Sequence, residues 1–308
     1  GAPAVASVGL VGMALRSTDV TGTLVLGRRR FEPGEPVLMA IVNRTPDSFY
    51  DVGATDDAAR ALERVHEVVA EGADIVDIGG VRAGPGDEVS TAEEIRRVVD
   101  FVAVVRSAYP DLVISIDTWR SAVGRAACAA GANLINDAWG GFDAGLADVA
   151  AEFGAGLVCT HAGGLPPRTK PHRIGYDDVV ADVLTVTTGL AERAARAGVR
   201  RDGIIVDPGH DLGKNTWHSL EITRRLSELV DTGWPVLVAL SNKDFVGETL
   251  DLPVDQRLTG TLAATAICAW HGARIFRVHQ VAPARQLLHM VGAIKGERLP
   301  LRVLRGLV

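Results

Sequence analysis

The feature that most constrains this chain is an eightfold alternation of a short apolar run and a longer amphipathic segment. The apolar runs are predicted strands at residues 37–42, 73–78, 112–116, 132–136, 156–160, 203–207, 235–240 and 274–278. The amphipathic segments are predicted helices at residues 56–71, 91–108, 119–130, 143–153, 177–198, 215–230, 255–272 and 281–294. Eight such units predict an α/β fold, the (β/α)8 TIM barrel, with an open doubly wound sheet as the alternative.

The residues ahead of the first unit, 1–35, are predicted to form an N-terminal extension, and the barrel domain is predicted to span 36–308. Within the extension, the segment TLVLGRRRF at residues 23–31 can form a hairpin that closes the barrel floor. The opening GAPAVASVGLVGMAL lacks the basic start of a secretory signal. No apolar run approaches the roughly 20 residues of a membrane helix, so we expect no membrane partner.

Charge and cysteine usage narrow the class of protein further. The formal net charge of -6 and the pI near 5.8 disfavour a nucleic-acid or anionic-membrane partner, which would require a basic face. Cys128, Cys159 and Cys268 lie in apolar or alanine-rich segments at no metal-ligand spacing. We therefore expect reduced core thiols in a cytoplasmic protein.

Polar residues follow nearly every predicted strand. In a closed barrel the carboxyl ends of the strands meet at one mouth, where the active sites of TIM-barrel enzymes lie. Each residue alone could cap the next helix, but agreement among so many strands favours a functional site. These strand-end residues are Asn43, Asp117, Asn136, Asp137, His161, Asp207, Ser241, Asn242, Lys243, Arg277 and His279.

The strand-end residues divide into two chemical sets. Asp117, Asn136 and Asp207 offer carboxylates and an amide that can pair with the donor and acceptor edge of a planar heterocycle. Lys243 and the later cations supply donors that fit a phosphate or pyrophosphate near the last two strands. The sequence therefore predicts a site for a heterocycle that carries a phosphate.

The phosphate set comprises Lys243, Arg277 and His279, and Asn43 could complete a magnesium or phosphate contact from the first strand. The string GHDLGKN at residues 209–215 is a near miss to a phosphate-binding loop. Its glycine spacing is one residue short, and it ends in Asn where a magnesium-binding Ser or Thr is needed.

The segment MAIVNRTPDSFYDVG, residues 39–53, closely resembles the first-strand motif of the dihydropteroate synthase family. The resemblance covers the chain after about residue 36. It continues through SIDTWR (115–120), INDAWGG (135–141), VDPGHDLGK (206–214), ALSNKDF (239–245) and GARIFRVHQV (272–281).

The resemblance implies a homodimeric TIM barrel that joins hydroxymethyl-dihydropterin pyrophosphate to para-aminobenzoate. Magnesium is the implied cofactor, magnesium pyrophosphate is the leaving group, and sulfonamide-type ligands are further implied partners. The matching positions imply that Lys243, Arg277 and His279 are catalytic. They also imply a pterin set of Asp117, Asn136, Asp207 and Lys243, and a pyrophosphate set of Asn43, Arg277 and His279, with Asn43 on the metal.

Departures from the family pattern cluster where the resemblance implies the para-aminobenzoate site. The family's second loop reads Gly-Gly-Glu-Ser-Thr-Arg-Pro-Gly, and here Ala83 and Gly84 replace its Thr and Arg. Asn242 replaces an Arg after the seventh strand, and Asp244 stands where many members have Ser. Arg82 could swing in to replace the missing arginine, although a solvated loop arginine is the favoured interpretation.

Three hypotheses follow from this uneven pattern. The leading one is a divergent, inactive dihydropteroate synthase paralogue with a retained pterin and pyrophosphate site. The second is an active transferase that uses para-aminobenzoate or another amine, with Arg82, His210 or Asp211 in new roles. The third is a non-catalytic pterin-binding protein.

Overall fold

The computed structural model describes residues 22–45, 54–170 and 174–305 and contains a barrel of eight parallel strands. The hydrogen-bonded order is β8-β7-β6-β5-β4-β3-β10-β9, and a bridge between Val206 and Val236 joins the two ends. The predicted TIM barrel is therefore confirmed. Its strands are β3 (Val37–Asn43), β4 (Ile75–Gly79), β5 (Val113–Asp117), β6 (Leu134–Asp137), β7 (Gly156–Thr160), β8 (Ile204–Asp207), β9 (Leu237–Ala239) and β10 (Ile275–Val278).

Helices surround the barrel. Seven of the eight predicted helical segments correspond to observed helices and differ from them only at their ends. The prediction for residues 215–230 misses a break at Arg225, whose guanidinium contacts Asp178, Glu221 and Glu228. The short helix α8 was not predicted. The helices are α1 (Ala54–Ala70), α2 (Thr91–Ala108), α3 (Ser121–Ala130), α4 (Gly145–Phe153), α5 (Val179–Arg196), α6 (Thr216–Arg224), α7 (Leu226–Val230), α8 (Asp244–Leu250), α9 (Leu258–His271) and α10 (Val281–Lys295).

The predicted hairpin is present as β1 (Leu24–Leu26) and β2 (Arg29–Phe31), which pair antiparallel. Leu24, Leu26 and Phe31 pack into the same apolar cluster as the inward-facing side chains of the barrel. The buried Arg274, just before β10, donates hydrogen bonds to the carbonyls of Gly22, Phe31 and Glu32. The hairpin therefore closes the barrel floor, while the division of the chain at residue 35 stays a prediction.

Two apolar layers hold the fold together. Alternate residues of each strand face the barrel interior, where β-branched and other aliphatic side chains fill the lower half. The other strand face packs against the helices in a larger cluster that includes Val76, Ile114 and Phe276. Burial of each such aliphatic or aromatic side chain contributes about 1.5–3 kcal/mol to the stability of the fold. The two layers therefore hold the strands, and with them the residues at the strand ends, in fixed positions.

The described residues also bear on two properties expected from the sequence. No helix among them combines the length and the apolar character that crossing a bilayer requires. Cys128, Cys159 and Cys268 are free thiols and buried, which agrees with the prediction of reduced core cysteines.

Candidate functional site

The inward-facing side chains of the barrel are apolar in its lower half and polar at the carboxyl ends of the strands. In six of the eight strands, the inward residue two positions after an apolar floor residue carries a polar side chain. The change is abrupt because successive inward residues lie only one pleat apart. These six polar residues are Asp77, Ser115, Asn136, Thr160, Asp207 and Arg277.

Asp77 is the hub of this layer, although sequence analysis did not identify it. Its side chain is fully buried, and its Oδ2 accepts a hydrogen bond from Arg277 Nε at 2.7 Å. The same oxygen accepts from Asn136 Nδ2 at 3.0 Å. An Asp at an inward position of an otherwise apolar strand was the available signal, since acidic residues are rarely buried unless paired.

Arg277 bridges two carboxylates across the mouth of the barrel. Besides binding Asp77, it donates from Nη2 to Asp117 Oδ2 at 3.0 Å. Burial would lower the pKa of Arg277, but the Asp77 and Asp117 carboxylates raise it overall. Desolvation and the nearby Asp77 charge raise the pKa of Asp117 to about 7, against the opposing effect of Arg277. Asp117 can therefore exchange a proton near neutral pH.

The opposite side of the mouth holds Asp207 and Lys243. Asp207 Oδ1 accepts a hydrogen bond from the backbone N–H of Gly209 at 2.7 Å. Lys243 Nζ donates to the carbonyl of His210 at 2.7 Å, and burial lowers the pKa of Lys243 despite the charges of Asp211 and Asp207. The predicted pterin set therefore surrounds one polar mouth, and its role stays a prediction.

The predicted pyrophosphate residues His279 and Asn43 lie at the rim of the mouth. His279 follows β10, and its backbone N–H donates to Ser241 Oγ at 3.2 Å. Desolvation and the charges of Arg277, Arg64 and Lys243 lower the pKa of the His279 imidazole to about 4. The ring is therefore neutral at pH 7.

Asn43 is exposed at the end of β3 and lines a cavity of about 540 Å³ between β3 and α1. Arg60 and Arg64 also line this cavity, and Arg64 donates to the carbonyl of His279. Arg64 is thus a second cation near the predicted phosphate residues. Sequence analysis missed it because it lies within α1 rather than at a strand end.

The predicted metal contact rests on few protein ligands. In the three described stretches, no three His, Cys, Asp or Glu side chains are grouped so that they could hold a metal ion. Asn43 offers one exposed amide oxygen. A Mg²⁺ ion that keeps its waters and shares substrate phosphate oxygens fits such a site, because magnesium is often bound through only one or two protein groups.

The second loop, which connects β4 to α2 over residues 80–90, is held through its backbone by arginines from outside it. Arg97 Nη1 donates to the carbonyl of Gly80 at 2.8 Å. Arg168, in the connection between β7 and α5, donates to the carbonyls of Gly84 and Asp87. Arg82 is exposed. Sequence analysis missed Arg168 because a contact across 84 residues leaves no periodic signal.

Arg168 itself has a backbone φ of +63°, a conformation that disfavours residues other than glycine. A Cβ added at Gly86 would lie 2.7 Å from Arg168 Nη2, so this glycine makes room for the guanidinium. The second loop therefore has a defined position above the mouth.

The loop after β8, residues 208–215, is pinned by a buried lysine. Lys214 Nζ donates to the carbonyls of His161, Gly209 and Leu212 at 3.0, 2.9 and 2.8 Å. Burial lowers its pKa to about 7. Its three donors are therefore directed at backbone, which agrees with the rejection of this string as a phosphate loop.

Asp211, in the same loop, also has its carboxylate engaged. Its Oδ1 accepts from Ser219 Oγ at 3.0 Å, and its Oδ2 accepts from the Phe245 N–H at 3.1 Å. His210 is fully buried, with its Nε2 at 3.0 Å from Thr223 Oγ1. Both residues therefore hold the loop against α6 and α8.

Comparison with known proteins identifies the family to which this fold and polar mouth belong. A protein-family model described as pterin binding enzyme matches residues 39–279, which are 241 of the 308 residues. Inactive dihydropteroate synthase 2 of Mycobacterium bovis is 58% identical over 275 residues, covering 88% of this chain and 86% of that protein.

Two solved structures show the same fold. Dihydropteroate synthase of Xanthomonas albilineans with 4-aminobenzoic acid aligns with a TM-score of 0.82 and 34% identity, covering 91% of this chain and all of that one. Dihydropteroate synthase of Yersinia pestis in complex with a sulfonamide drug gives a TM-score of 0.82 and 34% identity, covering 90% of this chain and 100% of that one. On these matches and the polar barrel mouth, the chain belongs to the pterin-binding enzyme family as a divergent dihydropteroate synthase paralogue.

Proposed function

We propose that this protein binds a pterin, or its pyrophosphate ester, in the barrel mouth and forms little or no dihydropteroate. The observation that carries the proposal is an asymmetry between the two halves of the site. The polar barrel layer and its ion pairs are complete, whereas the second loop has lost the side chains that would meet the amine substrate. The name of the Mycobacterium bovis relative supports the same conclusion.

The heterocycle end of the ligand would lie against Asp117, Asn136, Asp207 and Lys243. Unpartnered buried atoms support this position. Among the described residues, Asp77 Oδ1, Ser115 Oγ and Thr160 Oγ1 are buried without a hydrogen-bond partner. Buried polar atoms are normally paired, so the inner layer suits a ligand or waters rich in donors and acceptors.

The pyrophosphate end would lie toward Arg277, His279 and Asn43, with magnesium carried as part of the pyrophosphate substrate. Neutral His279 can donate one ring N–H to a phosphate oxygen, and Arg277 uses only two of its five N–H donors on Asp77 and Asp117, so its Nη1 group remains for the ligand. Asn43 could supply an amide oxygen to the ion. These groups would stabilise the negative charge on departing pyrophosphate.

In the family reaction, the bond from the pterin methylene carbon to the pyrophosphate oxygen breaks, and an amine then attacks the resulting cation. The residues for the first step are present here. The second step requires the amine to be held beside the methylene carbon. Here Ala83 and Gly84 replace the Thr and Arg of the family loop that would hold it. The expected loss from one missing charged hydrogen bond is about 1.5–3 kcal/mol, or roughly ten- to a hundredfold in affinity.

Self-association is a further part of the proposal, as the family resemblance implies a homodimer. Neighbouring helices α9 and α10 expose Ile267, Trp270, Met290 and Ile294, whose exposed fractions range from 48% to 62%. Several large apolar side chains exposed on two helices that pack against each other are typical of an interface. We also propose a cytoplasmic location, which the three buried free thiols support.

Calorimetric titration with hydroxymethyl-dihydropterin pyrophosphate and Mg²⁺, followed by addition of para-aminobenzoate, tests the proposed function. We expect saturable binding of the pterin ester and little or no dihydropteroate by chromatography. Turnover comparable with that of an ordinary synthase would contradict the inactive assignment. Absence of any pterin binding would contradict the ligand assignment.

A further inference from the structure

A second cavity, of about 430 Å³, lies beside the polar mouth and is here called the acceptor cavity. Lys243 belongs to both spaces, so a ligand in the acceptor cavity would adjoin one in the mouth. Its volume falls within the usual range for small-molecule sites. The lining comes from the second loop, from the connections after β6, β7 and β8, and from α8, and includes Ala83, Gly84, Trp139, Lys243, Asp244 and Glu248.

The wall formed by the second loop offers the ligand no charged side chain. Ala83 and Gly84 are the residues of this loop that line the cavity, and neither has a side-chain donor. Arg168 reaches the same loop, but its guanidinium donates to the carbonyls of Gly84 and Asp87. No arginine occurs among the described residues that line the cavity.

The inner cations of the cavity are directed at backbone. Lys214 uses its three donors on the carbonyls of His161, Gly209 and Leu212. Lys243 donates to the carbonyl of His210 and lies close to the charges of Asp211 and Asp207. A carboxylate on the ligand would therefore compete with the backbone contacts of Lys214 and with the Asp211 and Asp207 charges beside Lys243.

The outer end of the cavity presents carboxylates. The Asp244 side chain is 65% exposed, and Arg257 Nη1 donates to its Oδ1 at 3.1 Å, which fixes its position at the start of α8. Glu248 is exposed one turn further along α8 and accepts from Thr216 Oγ1. Lys170 lines the rim as an exposed cation. A ligand extending outward from Lys243 along α8 would thus end near two carboxylates, with Lys170 as the one exposed cation among the described lining residues.

We propose that the acceptor cavity selects an amine whose outer end is neutral or cationic, in place of one that ends in a carboxylate. The inference rests on the proposed pterin site, because it places the ligand beside a bound pterin. Like charges repel and opposite charges attract, and although Asp244 and Glu248 face solvent, both lie on the lining of the cavity where the outer end of the ligand would lie. The changed lining therefore alters the class of ligand that the cavity accepts.

The test uses three arylamines of matched size: 4-aminobenzoate, 4-aminobenzamide and 4-aminobenzamidine, with anionic, neutral and cationic outer ends. Each is titrated calorimetrically into the full chain saturated with hydroxymethyl-dihydropterin pyrophosphate and Mg²⁺. We expect the amidine and the amide to bind at least about tenfold more tightly than the benzoate, a difference of about 1.4 kcal/mol. Equal or tighter binding of the benzoate, or binding of none of the three, would overturn the proposal.

Variants identify the responsible charges. Asp244→Asn combined with Glu248→Gln should bring the amidine-to-benzoate affinity ratio close to one. Asp251→Asn removes the same charge at the end of α8, outside the cavity lining, and should leave the ratio unchanged. An unchanged ratio in the double variant would contradict the role of these carboxylates.

A separate first titration, with the pterin ester alone, distinguishes this proposal from the proposed function. If the ester does not bind, the proposed function fails. The three arylamines are then titrated into the protein alone, where the same order of affinities is expected because the lining carboxylates belong to the chain. A reversed order there would overturn the inference independently.

Discussion

At the residue scale, the site depends on a buried carboxylate that contacts two other members of the polar layer. Asp77 accepts hydrogen bonds from Arg277 and Asn136 through one oxygen, and Arg277 reaches on to Asp117. Asn136 and Arg277, which are expected to bind the ligand, are therefore both oriented by Asp77. The geometry of the mouth should respond to changes at Asp77 even where the ligand makes no contact with it.

Asp77→Asn removes the charge opposite Arg277 but preserves the side-chain shape. We expect the free energy of unfolding to fall by about 3 kcal/mol, because breaking a buried ion pair leaves a charge that Asp117 and Asp207 then offset only in part. Urea denaturation measures the change. Ser115→Ala is the control, since Ser115 is the paired neighbour on β5 and its Oγ is unpartnered among the described residues. A loss of the same size in the control would contradict the account.

The raised pKa of Asp117 makes a prediction about pH. The folded state holds this proton up to a pKa of about 7, whereas the unfolded chain releases it near the ordinary aspartate pKa of 3.8. Between these values the folded state binds more protons, so the Asp117 contribution to stability falls as pH rises, by at most about 1.4 kcal/mol per pH unit.

Asp117→Asn removes this titration while leaving the other acidic groups in place. The stability of the native chain relative to Asp117→Asn should therefore decrease from about pH 5 to about pH 7. Urea unfolding of both proteins at half-unit pH intervals measures the difference. A difference that is flat, or that increases with pH, would show that Asp117 does not titrate in this range.

At the scale of elements, the second loop owes its position to a residue in a distant connection. Removing the Arg168 guanidinium by Arg168→Ala should increase amide hydrogen exchange over residues 81–89 by at least about tenfold, because two hydrogen bonds from a charged donor are lost. Little change is expected elsewhere in the barrel. Unchanged exchange in the loop would show that Arg168 does not hold it.

Glycine substitutions in this loop provide a matched pair. Gly86→Ala should act like Arg168→Ala, since its Cβ would approach the guanidinium to 2.7 Å, and the two changes combined should add little to either alone. A Cβ at Gly84 meets no atom within 4 Å, so Gly84→Ala is the control and should leave exchange unchanged. Equal effects from both glycine changes would contradict the specific contact.

The comparison of sequence with structure is clearest at this same scale. Hydrophobic periodicity located all eight barrel strands, because each is an apolar run whose burial the sequence shows directly, and the apolar β1 likewise marked the hairpin. It missed α8, a seven-residue helix. It also missed Asp77, Arg64 and Arg168, because their positions matter through contacts between distant segments and through which face of an element they occupy.

At the scale of the whole molecule, we propose that the exposed faces of α9 and α10 form the interface between two copies of the chain. Trp270→Glu with Met290→Glu should convert a dimer to a monomer in light scattering, because the introduced charges would have to be buried in the interface. Phe142→Glu, at a 60% exposed aromatic ring in the connection after β6, is the control and should leave the mass unchanged. A native chain that is monomeric at micromolar concentration would contradict dimerisation.

The division of the site into a retained half and an altered half also belongs to the whole molecule. The strand ends of the barrel supply most of the proposed pterin half, and the apolar lower half of the barrel and the hairpin hold those strands in place. The acceptor half comes from loops, which can change without cost to the core. This arrangement explains how a chain can preserve the fold and the polar mouth while losing the second step of the family reaction.

Dihydropteroate formation by the native chain, compared with Ala83→Thr/Gly84→Arg/Asn242→Arg, tests the central claim most directly. Asn242 has a φ of +58°, so its replacement should cost about 1–3 kcal/mol of stability. Both proteins receive saturating pterin pyrophosphate, Mg²⁺ and para-aminobenzoate. We expect little or no product from the native chain and clearly more product from the triple variant. Turnover by the native chain at the rate of an ordinary synthase would contradict it.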